Sequence, residues 1–260
     1  MKNIKTVILD WAGTAVDFGS FAPVRAFIEA FESFGVTPTT DETRAPMGMQ
    51  KRAHIESMLS GERLSALWRD AYGRAPAETD ADNIYACFEP ALFSVLKDHA
   101  APLPGLLETV ARIRDMGVKI GSTTGYTAAM MEIVTARAFA AGYEPDCLVC
   151  PDEVGGVGRP YPYMLWRNLE KMGILSINSA LKVGDTAADM HEGKNAGCLC
   201  VGVIEGSNML GLRENELRAL NGDERRGAFE DVRRRYAEAG ADFVIEDISA
   251  LPDLIESLDA

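Results

Sequence analysis

Four short segments of this chain put reactive side chains where an apolar run gives way to a turn. Val7-Ile8-Leu9 leads straight into Asp10, and Gly13-Thr14 follow as a turn. Ligands of α/β folds gather outside the carboxyl ends of parallel strands, so a carboxylate there can act as nucleophile and as cation ligand. Ser122-Thr123-Thr124-Gly125-Tyr126 brings hydroxyls and free amides to a helix start, a cradle suited to a phosphoryl group. In Gly158-Arg159-Pro160, Arg159 can place a permanent cation beside the same group. Val183-Gly184-Asp185-Thr186-Ala187-Ala188-Asp189 ends a strand with two carboxylates four residues apart, which with Asp10 form a candidate hard-cation site. Each segment alone is an ordinary turn or helix cap. Four in this order, each at a strand end or adjoining loop, are specific.

A fifth segment, Arg44 to His54, carries Lys51 after a Pro46-Met47-Gly48 break. On a helix beginning there, Lys51 and His54 share a face, and the imidazole can exchange protons with the amine. A lone lysine on a helix is usually a solvated surface residue. Its company here sets this one apart.

The elements that must position these groups read as alternating strands and helices. Strands are predicted at Thr6 to Leu9, Val118 to Ser122, Cys147 to Val149, Ala180 to Gly184, Leu199 to Ile204 and Phe243 to Ile245. Helices are predicted at Leu106 to Met116, Ala128 to Ala141, Tyr161 to Met172 and Met190 to Ala196. This rhythm predicts an α/β fold with a Rossmann-like, doubly wound parallel sheet as its core. Between Phe21 and Ala100 the apolar residues instead recur at helical spacing, as in Phe27, Ala30, Phe31 and Phe34. A block inserted after the first strand's turn cannot lie within the sheet, so it is expected to form an all-helical cap over the strand ends. The expected division is a core of residues 1–19 and 100–260 with a cap of 20–99. The charged stretch Asp223 to Ala241 reads as a solvated helix face.

A formal net charge of −13 argues against nucleic acid and anionic membrane as partners. No apolar run approaches the roughly 18 residues of a membrane span, and a cytoplasmic location is expected. The five cysteines are expected to be reduced, buried thiols; Cys147 and Cys150 lie on a strand that turns them to opposite faces.

Taken in this order, the motifs resemble the haloacid dehalogenase superfamily of phosphoryl-transfer enzymes. That superfamily begins its pattern with Asp-x-Asp, whose second Asp protonates a leaving oxygen; here Ala12 stands in its place. The departure fits either a dead phosphatase or a leaving group that needs no such proton. Asp10-Trp11-Ala12-Gly13-Thr14, Gly19-Ser20-Phe21-Ala22-Pro23, Pro46-Met47-Gly48 with Lys51 and His54, and Gly121 to Tyr126 together resemble the phosphonoacetaldehyde hydrolase family. The resemblance implies a small-molecule phosphonate substrate with an aldehyde group. It implies a Schiff base on Lys51, proton shuttling by His54, and attack on phosphorus by Asp10. Mg²⁺ would be held by Asp10, the Ala12 carbonyl and Asp185, with Asp189 assisting. Thr124, Gly125 and Arg159 would bind phosphonyl oxygens, while Ala12, Met47 and Tyr126 would shape the site, with Ser20 and Trp11 as weaker lining candidates. A nucleophilic Lys51 needs a lowered pKa, expected from burial and from cations such as Arg52. The resemblance also implies a homodimer, for which Phe27, Phe31 and Phe34 offer either a surface or simply the cap's own core. Two rivals remain: a phosphatase or mutase of the same superfamily, which would want Asp at position 12, and a non-catalytic phosphoryl-binding protein.

Overall fold

Residues 4–259 are described by a computed structural model. Six parallel strands form one sheet: β1 (Thr6–Leu9), β2 (Lys119–Thr123), β3 (Cys147–Val149), β4 (Ala180–Gly184), β5 (Leu199–Val203) and β6 (Phe243–Ile245). Their spatial order is β3-β2-β1-β4-β5-β6, so the winding reverses between β1 and β4. Leu9 lies level with Ser122 on one side and Val183 on the other, which brings three motif-bearing strand ends to a single rim. Ligand crevices of open α/β sheets form at such a reversal.

The sheet is apolar on both faces because helices cover both. All four residues of β1 are buried. Val7 and Leu9 join a cluster with Leu106, Val110 and Ile113 of α6 (Leu106–Asp115). Ile8 points the other way, onto Met164, Leu165 and Leu169 of α8 (Tyr163–Met172). Period-two alternation thus feeds two separate packing layers.

Two helix starts differ from expectation, each for a local reason. α8 begins at Tyr163 and not at Tyr161, since Pro162 disfavours helical backbone in the residue before it. α9 (Ala187–Ala196) begins three residues earlier than expected. Thr186 accepts from the Asp189 amide at 3.3 Å, and the Asp189 carboxylate accepts from the Thr186 amide at 3.2 Å. This reciprocal pair starts the helix at Ala187. α7 (Ala128–Ala140) and, after the short α10 (Glu214–Ala219), α11 (Gly222–Glu238) lie within or near the spans expected for them.

The inserted block is helical throughout, with α1 (Phe21–Glu32), α2 (Thr40–Arg44), α3 (Lys51–Ser60), α4 (Glu62–Tyr72) and α5 (Glu78–Val95). Phe27 of α1 stacks on Phe88 of α5 with ring centroids 4.1 Å apart, and Phe31 is buried with it. These phenylalanines form the cap's own core and are not available as a partner surface. Among the cysteines, Cys87 departs from the buried expectation by lying exposed; Cys147 and Cys150 fall in packing layers on opposite faces of the sheet. Among the described residues no helix is long and apolar enough to cross a membrane.

Candidate active site

Asp10 continues the β1 pairing by one residue, its amide donating to the Val183 carbonyl at 3.0 Å. Asp185 stands one residue beyond β4, and Asp189 is fixed on the first turn of α9 by its pairing with Thr186. The three buried carboxylates each offer an oxygen, and these oxygens lie within 4.8 Å of one another. Gly13 makes this approach possible. It adopts φ +92°, and a Cβ there would fall 1.9 Å from Asp185 Oδ2.

Arg159 lies fully buried beneath the carboxylates. Its Nη2 is 2.7 Å from Asp10 Oδ1 and donates to Thr123 Oγ1 at 2.8 Å; its Nη1 is 3.0 Å from Asp189 Oδ1, and its Nε donates to Glu192 Oε2 at 2.9 Å. Lys182, also fully buried, places Nζ 2.9 Å from Asp189 Oδ1, 3.0 Å from Glu192 Oε2 and 2.8 Å from Thr123 Oγ1. Four carboxylates therefore face two permanent cations in a water-poor volume. Burial pushes the Asp10 carboxyl up against the pull of Arg159, and burial with the Asp10 and Asp189 charges pushes Asp185 well up. Asp189 is held down by Arg159 and Lys182 despite its burial. Asp185 Oδ1 accepts no hydrogen bond among the described residues, while Asp189 Oδ1 already faces Arg159 Nη1 and Lys182 Nζ. Three converging carboxylates, with Asp185 Oδ1 left open, fit a divalent hard cation such as Mg²⁺.

The cap supplies a different chemistry. Lys51 is the first residue of α3, where the Gln50 side chain caps the helix by accepting from the Ala53 amide at 3.1 Å. It is 3% exposed, with Nζ 4.8 Å from the Tyr126 ring centroid and 5.8 Å from that of Phe27. No carboxylate reaches ion-pair distance of it among the described residues. Burial draws its pKa down to about 8, with Asp10 opposing and Arg159 assisting. Arg52, the cation expected to help, turns away to the surface and pairs with Asp82 and Glu56. His54 is buried and stacked on Phe27 at 3.9 Å, with Nε2 2.9 Å from the Thr43 carbonyl. A carbonyl can only accept, so Nε2 carries the proton and Nδ1, without a partner, is left as an acceptor. Burial, then the nearby Lys51 charge, holds His54 well below its ordinary pKa, so the ring is neutral near pH 7.

Cap and core meet backbone to backbone. A Cβ on Gly125 would sit 2.6 Å from the Met49 carbonyl oxygen, and one on Gly48 would sit 2.4 Å from Thr186 Oγ1. Met47 lines an apolar cavity of about 440 Å³ between cap and core, with Met49, Met58 and Ala188. None of Asp10, Lys51 and Asp185 lines that cavity. Thr124 accepts from the Tyr126 amide at 3.0 Å, fixing the loop that ends at α7.

A family model of haloacid dehalogenase-like hydrolases matches residues 4–197. The chain is 45% identical over 257 residues to the phosphonoacetaldehyde hydrolase of Bacillus cereus (strain ATCC 10987), covering 99% of this chain and 97% of that one. The chain belongs to the phosphonoacetaldehyde hydrolase family of haloacid dehalogenase-like hydrolases. It is an enzyme. A phosphonoacetaldehyde hydrolase-like protein from Oleispira antarctica superposes with a TM-score of 0.95 at 34% identity, covering 99% of this chain and 93% of that one. A bifunctional phosphonoacetaldehyde hydrolase/aminoethylphosphonate transaminase from Clostridioides difficile is 45% identical over 254 residues; the chain spans 40% of its length.

Placed within this family, the sequence-predicted groups divide into two sets. Asp10, Asp185, Asp189 and Arg159 converge on the rim between β1 and β4, while Lys51, His54 and Tyr126 meet where the cap covers it. Ser20 is buried at φ +52° with its hydroxyl unpartnered, and Trp11 packs edge-on to Tyr143 at 5.2 Å within the core. Sequence reasoning missed Thr123 as a cation partner, Lys182 and Glu192. A signal for Lys182 existed: it is a charge flanked by Leu181 and Val183 in a strand predicted to be buried. Glu192 lies three residues beyond Asp189 and so on the same helix face.

Proposed function

We propose that this enzyme cleaves the carbon–phosphorus bond of phosphonoacetaldehyde, giving acetaldehyde and phosphate, through a Schiff base on Lys51 and a phosphoryl group transferred to Asp10. The observation that carries this reading is Lys51: a buried lysine without a carboxylate partner, of lowered pKa, closing over a carboxylate site whose acid position is Ala12. A phosphomonoesterase needs the acid and not the amine. The division into a core of 1–19 and 100–260 and a cap of 20–99 belongs to the same reading, with chemistry from both sides.

In this mechanism neutral Lys51 adds to the aldehyde carbon and water leaves, forming a protonated imine. His54 Nδ1 takes and returns protons during that addition. Asp10 then attacks phosphorus, the carbon–phosphorus bond breaks, and its electron pair moves toward the iminium as an enamine. Protonation and hydrolysis of the enamine free acetaldehyde and Lys51, while water cleaves the aspartyl-phosphate. Arg159 orients the Asp10 carboxylate and, together with Thr124 and the Gly125 amide, would receive the phosphonyl oxygens. Asp10, Asp185 and the Ala12 carbonyl would hold Mg²⁺, with Asp189 beside them, and the cation would offset charge on the phosphoryl oxygens. The family relationship supports a homodimer, whose surface must lie elsewhere than Phe27 and Phe31.

Borohydride reduction in the presence of phosphonoacetaldehyde tests the reading. It should inactivate the enzyme and leave an added mass on the peptide that carries Lys51. Label on another lysine, or full turnover by Lys51→Arg, would return the chain to the phosphatase reading.

A further inference from the structure

We propose that Lys182 and Glu192 are positioning residues for Arg159, an inference that rests on the reading of Asp10 as the group that attacks phosphorus. Arg159 makes four polar contacts, and three of them, Asp189 Oδ1, Glu192 Oε2 and Thr123 Oγ1, are with atoms that also hold Lys182 Nζ. The fourth contact is Asp10. The two cations thus share one three-atom seat, and the remaining guanidinium edge is turned to the carboxylate at the strand end.

The physical reason follows from charge and space. Two buried cations repel, and Glu192 Oε2 lies between them at 2.9 Å from one and 3.0 Å from the other. Thr123 accepts from both cations and donates to Glu192 at 2.9 Å, which closes the seat. Lys182 reaches it from the centre of β4 alongside Gly193, where a Cβ would come 2.9 Å from the Lys182 Cβ. A buried ion pair in a strand commonly adds no stability that a packed apolar side chain would lack. Lys182 is fully buried and cannot meet substrate. Its placement is accounted for by what it does to Arg159: with the seat filled from below, the guanidinium cannot rotate away from Asp10 when a phosphoryl group arrives.

Lys182→Met and Glu192→Gln in the full chain test this. Each should lower kcat for phosphate release about 100-fold, the scale of an ångström-level misplacement. Borohydride capture of the aldehyde at Lys51 should stay at the wild-type level, because both variants keep the Arg159 charge that assists Lys51 and neither alters the cap. Calorimetric affinity for inorganic phosphate in the presence of Mg²⁺ should weaken at least tenfold, and this readout is independent of the aldehyde. If wild-type protein binds phosphate but releases none from phosphonoacetaldehyde, the functional reading falls and the phosphate affinities still decide the positioning role. Variants with wild-type kcat and phosphate affinity would overturn the proposal. So would parallel loss of kcat and Lys51 capture, or failure of both variants to fold, since each marks a purely structural network. If one variant alone fails to fold, the other decides.

Discussion

Gly125→Ala perturbs the closure of cap on core with a single methyl group and leaves the Gly125 amide, assigned above to the phosphonyl oxygens, in place. The Gly125 φ lies outside the left-handed region, so alanine strains no backbone there. Its Cβ would, however, meet the Met49 carbonyl oxygen at 2.6 Å and that of Gly48 at 3.0 Å, and ordinary contact begins at 3.4 Å. Both obstacles are backbone atoms, which cannot swing aside as a side chain would. The cap loop must therefore retreat by about 0.8 Å, the gap between 2.6 and 3.4 Å. Lys51 follows Met49 by two residues at the start of α3, so the retreat carries its amine away from the carboxylates. A misplacement of about 1 Å costs roughly 100-fold in rate, or about 2.7 kcal/mol of barrier. Because both contacts are backbone atoms at a buried position, the retreat also costs stability, about 1–3 kcal/mol of overpacking. The expected result is kcat/KM for phosphate release down about 100-fold in a protein that still folds, with a lowered melting midpoint. Gly48→Ala is the contrast: at φ +91° and 2.4 Å from Thr186 Oγ1, it adds backbone strain to the clash and should lose more stability than Gly125→Ala. Wild-type kcat/KM in folded Gly125→Ala would refute the requirement for this contact.

Three further outcomes are expected. Because the Lys51 pKa is drawn down to about 8, the neutral amine and the rate of imine capture should rise from pH 7 through about pH 9 and level off above; a flat profile across this range would remove Lys51 as the amine. Chelation should abolish phosphate release, and added Mg²⁺ should restore it and raise the melting midpoint by binding the native carboxylate cluster; full activity in stripped protein would exclude the cation site. His99 Nδ1 lies 2.7 Å from Asp17 Oδ1, and Asp17 also accepts from the Phe21 and Ala22 amides, so this pair ties together the two chain crossings between cap and core. Its hydrogen bond to Asp17 raises the His99 pKa above 6.5, so its stabilisation is complete below pH 6.5 and fades as pH rises through the raised value. His99→Gln should therefore lower the melting midpoint at pH 6, with a deficit that shrinks as pH rises; a deficit unchanged with pH would show that the pair's charge is irrelevant.

Much of the core was legible in the chain because its signals are local. Runs such as Val7 to Leu9 and Cys147 to Val149 are apolar wherever they fold, and a strand-end Asp or a Thr186–Asp189 pair acts within a few residues. The helical block could be recognised from spacing alone, and the roles assigned to Asp10 and Lys51 came from a motif resemblance that the geometry accommodates. Other features depended on what lies across space. That Phe27 and Phe31 face inward depended on α5 arriving with Phe88. That Arg52 points to solvent while Lys51 is buried depended on which side of α3 meets the core. The lowered Lys51 pKa comes mainly from burial, a property of the packed protein and of no single segment. The convergence of Asp10 with Asp185 required β4 to lie beside β1, and the seat shared by Arg159 and Lys182 required a loop, two strands and a helix to meet. Periodicity and strand-end chemistry set what each segment can become; which charges end up within 3 Å of one another is decided only when distant segments exclude water together.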